Sequence, residues 1–167
     1  ENARHDAKEL FLYIGSMGKT RFFDGDVECD LPQLEDAVRR RAKREPLQYI
    51  MGQWDFMGYT FKVTPHTLIP RSDTELLCEF LIKNLPRGGR FADLCTGSGC
   101  IAVSTLVHRP DTSAIAVDVF EKTLELAKSN AERNNVADRF TPILCDLLKS
   151  ELPQDSFDAI ISNPPYI

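Results

Sequence analysis

Asparagine followed by two prolines and a tyrosine, Asn163-Pro164-Pro165-Tyr166, is the stretch of this 167-residue chain with the most specific chemical content. Two consecutive prolines fix φ and remove two backbone donors, so the loop presents carbonyl acceptors in a rigid frame. A planar NH2 group carries two donors and needs two acceptors. The side-chain oxygen of Asn163 and the backbone carbonyl of Pro164 can supply them, with the Tyr166 ring against a methyl group or the substrate plane. Asn163, Pro164 and Tyr166 are thus the candidate catalytic residues, and with Pro165 the candidate substrate contacts. The bland reading is a Pro-rich surface turn. Against it, the buried-strand run Ala159-Ile160-Ile161-Ser162 puts the loop at a strand's carboxyl end, facing a glycine-rich loop.

That second loop is Asp93-Leu94-Cys95-Thr96-Gly97-Ser98-Gly99, between an apolar run and a helical pattern. Glycines allow positive φ and close approach of a ligand, and a helix start offers unpaired N–H groups. A tight turn with no ligand would look the same. The pattern is sharpened by Asp118, 19 residues beyond Gly99, where a carboxylate can accept from both ribose hydroxyls. Asp146, after a third strand, can take an adenine amino group or cap its own turn, and Leu147 can pack on the adenine face or belong to the core. Two nucleoside cofactors fit. Gly97-Ser98-Gly99-Cys100-Ile101-Ala102 satisfies a relaxed G-x-G-x-x-A fingerprint, which leaves an NAD-dependent oxidoreductase open. S-adenosylmethionine fits with its methionine end in the glycine loop. The candidate cofactor contacts are Asp93, Cys95, Thr96, Gly97, Ser98, Gly99, Asp118, Asp146, Leu147 and Asn163.

The Asn-Pro-Pro-Tyr loop favours the second cofactor. An amide or aniline-type nitrogen is a poor nucleophile, because its lone pair is delocalised, so binding must aim it at the sulfonium methyl, leaving S-adenosylhomocysteine. Acceptors on both N–H bonds do this and favour the transition state as positive charge builds on nitrogen. The reaction needs no nucleophilic Ser or Cys and no metal. His5, His66 and His108 read as structural or surface residues.

Composition narrows the partners. With 20 Lys+Arg against 25 Asp+Glu the formal charge is -5, which weighs against direct binding to duplex nucleic acid. There is no run of about 18 uncharged apolar residues to span a bilayer, and Glu1 to Glu9 are too charged for a signal peptide, so a cytoplasmic protein is expected. Cys29, Cys78, Cys95, Cys100 and Cys145 have no zinc-type spacing and read as reduced thiols, mostly in the core.

The elements that would position these residues follow from periodicity. Ala3, Ala7, Leu10 and Ile14 lie on one helical face, stopped by Gly15 and Gly18. A second helix follows Asp30 as cap, with Pro32 in its first turn and Leu34, Ala37, Val38 and Arg41 on one stripe. Its basic end, Arg39 to Arg44, reads as solvated cations complementing the macrodipole in preference to a docking surface. Pro and Gly then punctuate two short strands, with Met57-Gly58 turning a hairpin. Ser72-Asp73-Thr74-Glu75 matches a capping box, predicting a helix from about Thr74 to Leu85. From residue 90 strands and helices alternate: strands at Arg90 to Leu94, Ala114 to Val117, Phe140 to Leu144 and Phe157 to Ser162, helices from Cys100 and over Glu121 to Asn134. This predicts an α/β fold with a parallel sheet and ligands beyond the strands' carboxyl ends. The expected organisation is a helical segment over 1–45, a linker with a short β-hairpin over 46–73, and a cofactor-binding domain over 74–167.

With these residues in hand, the sequence resembles the class I S-adenosylmethionine-dependent methyltransferases, with their Rossmann-like fold. More narrowly, it resembles the HemK/PrmC family of protein-(glutamine-N5) methyltransferases. The general match rests on Asp93 to Gly99, Asp118 and Asn163 to Tyr166. The narrower one rests on Arg44-Glu45-Pro46-Leu47-Gln48-Tyr49-Ile50-x-Gly52 and Leu68-Ile69-Pro70-Arg71-Ser72-Asp73-Thr74-Glu75. The resemblance implies methyl transfer to the GGQ glutamine of peptide chain release factors, which the N-terminal helices would engage. Cys95 and Ser72 stand where the family often has glycine and proline. That family continues beyond N-P-P-Y with three more strands, so this chain reads as a fragment, truncated after the fourth strand and expected to bind cofactor weakly and catalyse poorly. The nearest rival activity is an N6-adenine-type nucleic-acid amino methyltransferase; a non-catalytic module docking on a translation factor is more distant.

Overall fold

The structure, a computed structural model, describes residues 3–15, 30–149 and 156–165. Gly18, Cys29 and Tyr166 lie outside the described residues. The chain divides into two compact units, Glu1–Gly52 and Gln53–Ile167.

In the first unit, α1 (Ala3–Ile14) and α2 (Leu31–Ala42) follow the expected stripes. Asp30 caps α2, its Oδ1 accepting from Gln33 N at 3.1 Å. A further short helix, α3 (Leu47–Met51), occupies what the sequence reads as linker. Leu47, Ile50 and Met51 are spaced for one helical face, and the helix ends at Gly52, whose φ of 67° glycine adopts without steric cost. Leu10, Ala37 and Leu47 form this unit's core. The basic end of α2 is more engaged than free solvated cations would be. Arg41 Nε bonds Asp6 Oδ2 of α1 at 2.7 Å, Arg40 forks onto Glu45, and Arg39 lies 3.8 Å from Asp36.

The second unit opens with the hairpin β1 (Gln53–Phe56) and β2 (Tyr59–Lys62), antiparallel with Phe56 opposite Tyr59. Met57 and Gly58 turn it with φ of 51° and 79°, the double left-handed geometry that matches the twist of two-residue hairpins. Phe56 and Phe61 are buried edge to face, centroids 6.0 Å apart. The capping box does not form. Ser72–Thr74 is a 3-10 turn, so α4 (Glu75–Asn84) starts three residues beyond Ser72, and Glu75 Oε1 accepts instead from Met57 N at 3.0 Å.

Next come β3 (Arg90–Leu94), α5 (Cys100–His108), β4 (Ser113–Asp118), α6 (Glu121–Arg133), β5 (Phe140–Leu144) and β6 (Ala159–Ser162). The four strands form one parallel sheet in the order β5-β4-β3-β6. α5 is apolar nearly all round, and Cys100 to Leu106 are all buried, as its composition requires. Side chains of α4, α5 and α6 share one core with Phe91, Ala114, Ala116 and Phe140 of the sheet. The opposite sheet face carries Ala92, Ile115 and Val117. Among the described residues β6 pairs only with β3, and Ile160 is 61% exposed. The four described cysteines are free thiols, Cys78 and Cys100 being buried.

Asn130 of α6, fully buried, joins the hairpin to the glycine loop. Its Oδ1 accepts from Lys62 N at 2.7 Å, and its Nδ2 donates to Lys62 O at 3.0 Å and Ser98 O at 2.9 Å. Nothing in the periodicity of α6 marks this residue. Asn130→Ala would remove the partner of one interior carbonyl, Ser98 O, and of two part-buried backbone groups of Lys62, and urea unfolding is expected to show a loss of about 2–4 kcal/mol. Ser129→Ala, which deletes only an exposed bond to Lys62 Nζ, is expected to change stability by less than about 0.5 kcal/mol.

Candidate functional site at the carboxyl edge of the sheet

The chain runs β3, β4, β5 toward one edge and then returns to the far side of β3 as β6. Crevices at such reversals bind ligands in open α/β sheets. Leu94 pairs with Ser162 at the ends of β3 and β6. The glycine loop and the Asn163-Pro164-Pro165 loop therefore leave the sheet side by side, tied by Ser162 Oγ donating to Leu94 O at 2.8 Å. On the other flank β4 ends at Asp118, and β5 beyond it leads to Asp146. The sequence-selected residues that the structure describes are thus gathered along one edge.

Within the glycine loop, Cys95, Gly97 and Gly99 all have left-handed φ, at 58°, 58° and 78°. Cys95 adopts the conformation glycine would take without strain, which for a residue with a Cβ costs about 1–2 kcal/mol. Burial foremost pushes its thiol pKa up. Thr96 N donates to Val117 O at 2.9 Å, and both Thr96 and Ser98 are buried. Gly99 has a second constraint: a Cβ there would lie 3.1 Å from the Cβ of Ala127 on α6.

The carboxylates divide by role. Asp118 is half-buried; its Oδ2 accepts from Gly97 N and its Oδ1 from Phe120 N, each at 3.1 Å. Beside it Val119 and Phe120 are exposed apolar residues. Asp146 caps its own turn, accepting from Leu148 N at 3.1 Å, and pairs with Lys149 Nζ at 2.8 Å, which holds its carboxyl pKa below the usual range. Leu147 next to it is exposed. Asp93 is different. It is 0% exposed, its Oδ2 accepts from Thr96 Oγ1 at 2.7 Å and Ala102 N at 3.3 Å, and its Oδ1 has no hydrogen-bond partner. Its carboxylate therefore supports the loop from beneath. Burial outweighs the two bonds and raises its pKa to about 7.

Asn163 is half-buried, and its Nδ2 donates to Thr74 Oγ1 at 3.0 Å. Pro164 and Pro165 are exposed. Sequence reasoning missed Thr74 and Asn130, both polar partners from distant elements. His108 Nδ1 lies 2.9 Å from Ser104 O and its ring packs edge-on to Tyr59, a structural placement. Among the described residues no three His, Cys, Asp or Glu converge as metal ligands, and no helix is long and apolar enough to cross a membrane.

Residues 72–167 match the family described as the methyltransferase small domain. The chain belongs to that family. Residues 1–52 match the PrmC N-terminal domain. Curated relatives of this small-domain methyltransferase chain include the release factor glutamine methyltransferase of Nitratidesulfovibrio vulgaris, 45% identical over 84% of this chain and 48% of that protein. Those of Geobacter sulfurreducens and Salmonella typhimurium are 39% and 38% identical over 100% of this chain, and over 59% and 61% of their own lengths. The chain thus spans about half to three fifths of the curated relatives it matches. Among solved structures, the tRNA m1G37 methyltransferase of M. jannaschii is similar with a TM-score of 0.56 at 18% identity, covering 68% of this chain and 35% of that one. A type I restriction-modification methyltransferase subunit from Streptococcus thermophilus gives 0.53 at 19% identity, covering 60% and 24%. At such identities the likeness is one of fold: the parallel α/β sheet that the strand-helix alternation predicts, in the Rossmann-like methyltransferase form that the resemblance implies.

In this methyltransferase small domain the raised pKa of Asp93 has a definite sign. Folding favours its protonated form, so its contribution to stability falls as pH rises between about 4 and about 7 and is level above that window. Relative to Asp93→Asn, the wild-type protein is expected to lose up to about 1.4 kcal/mol per pH unit across the window, measured by urea unfolding in a pH series. Parallel pH profiles would show that Asp93 is ionised throughout.

Proposed function

We propose that this chain is the cofactor-binding part of an enzyme that methylates the side-chain amide nitrogen of a glutamine, with S-adenosylmethionine as donor and a peptide chain release factor as substrate. The observation that carries the reading is the pairing of Leu94 with Ser162, from which a left-handed glycine loop and a diproline loop emerge together.

The residues present fit the donor better than a dinucleotide. Gly97 N is already held by Asp118 at 3.1 Å, and that carboxylate meets only neutral backbone donors, Gly97 N and Phe120 N, among the described residues. Negative charge against the loop disfavours a pyrophosphate and favours a cationic group. Exposed Val119 and Phe120 beside Asp118, and Leu147 beside Asp146, suit a purine and its ribose. Asp118 would take ribose hydroxyls on its remaining lone pairs, and Thr96 to Gly99 would flank the methionine portion. When bound, S-adenosylmethionine supplies a sulfonium-activated methyl carbon. Asn163 Oδ1 and the Pro164 carbonyl would accept the two N–H bonds of a carboxamide, fix the nitrogen in line, and bind more tightly as positive charge grows there. The release factor comes from the relatives' names and from the match of residues 1–52. The glutamine of its GGQ motif is what the family resemblance implies.

Mass spectrometry of a release factor incubated with the intact protein and methyl donor is expected to show one added methyl on the GGQ glutamine. Asn163→Ala in the intact protein is expected to lower kcat by about 10²- to 10³-fold, while the thermal shift produced by S-adenosylhomocysteine persists. An unmodified glutamine, or stabilisation by NAD in place of S-adenosylhomocysteine, would sink the reading.

A further inference from the structure

The bond from Asn163 Nδ2 to Thr74 Oγ1, 3.0 Å long, joins residues 89 positions apart. Thr74 sits where a helix-capping hydroxyl belongs, immediately before α4, yet makes no side-chain cap bond. It is held firmly: 5% exposed, with its N–H on Arg71 O at 3.0 Å. Next to it Glu75 is anchored to the hairpin turn through Met57 N, and α4 is fixed by buried Cys78 and Leu81. Its β-branched side chain has few rotamers. Asn163, by contrast, stands just after the last residue of β6, in a loop.

A carboxamide is chemically two-ended, and an incoming NH2 group is served only by the oxygen end. Rotated by half a turn, Asn163 would set donor against donor. Resting on the reading above, we infer that Thr74 is a positioning residue for amide methylation: its hydroxyl accepts from the NH2 end of Asn163 and holds the side chain in the orientation that presents its carbonyl end to the substrate nitrogen. Thr74 touches neither substrate nor donor in this role and acts through Asn163 alone.

The test is Thr74→Val, which keeps shape and loses the hydroxyl, beside Thr74→Ser, which restores it, both in the intact protein. Thr74→Val is expected to lower kcat by about 10- to 100-fold, with S-adenosylhomocysteine affinity unchanged within about twofold and Thr74→Ser within about threefold of wild type. In an Asn163→Ala background Thr74→Val is expected to cause no further loss. Undiminished kcat in Thr74→Val, or an equal further loss without Asn163, overturns the inference. A readout that needs no substrate separates this failure from failure of the proposed reaction. The side-chain amide resonances of Asn163 are expected to shift in Thr74→Val and return in Thr74→Ser; unchanged resonances overturn the inference even where wild-type protein methylates glutamine.

Discussion

A carboxylate removed from water must be given donors or a proton, and Asp93 receives some of each. One oxygen gathers the Thr96 hydroxyl and the Ala102 amide, which ties the end of β3, the loop and the start of α5 to a single point. The other oxygen is buried without a hydrogen-bond partner, and burial of the group as a whole shifts its pKa upward. The strand must turn sharply about this point to enter a helix that is buried on every side. Left-handed backbone at Cys95, Gly97 and Gly99 is the geometric result. The exposed loop is therefore supported by an interior group.

Around that support the sheet order does the rest. Because β6 returns beside β3, a loop rich in backbone acceptors comes next to a loop rich in backbone donors. Asp118, arriving on the other neighbour, fills the donor loop with negative charge. A site assembled this way is polarised, with acceptors and carboxylates along one edge, which is what the proposed cationic donor and NH2 acceptor require. The same fold with a lysine or a free helix terminus at the loop would suit phosphates.

Much of this was readable in the residues because the signals are local. The Met57-Gly58 turn, the Asp30 cap and the apolar strands each depend on a few adjacent positions, and the structure reproduces them. α3 was not recognised because five residues give barely more than one turn of periodicity, even though Leu47, Ile50 and Met51 carry it. The capping box misled because the same four residues can form a 3-10 turn, and Glu75 found a better-placed donor in Met57. Asn130 and Thr74 were unreadable for a different reason. Their partners Lys62, Ser98 and Asn163 lie on elements brought near only by the order of strands, which no single sequence reveals.

The closeness of Gly99 to Ala127 extends the loop's sequence requirements to a helix that carries no motif. A larger side chain at either position meets the other across a gap already near van der Waals contact, so the two are one steric unit. Divergent versions of this protein should then show epistasis between them: bulk admitted at 127 is tolerated only where α6 has moved outward. An inventory confined to glycine signatures would score such a change on α6 as neutral, although it reshapes the cradle as directly as a change in the loop.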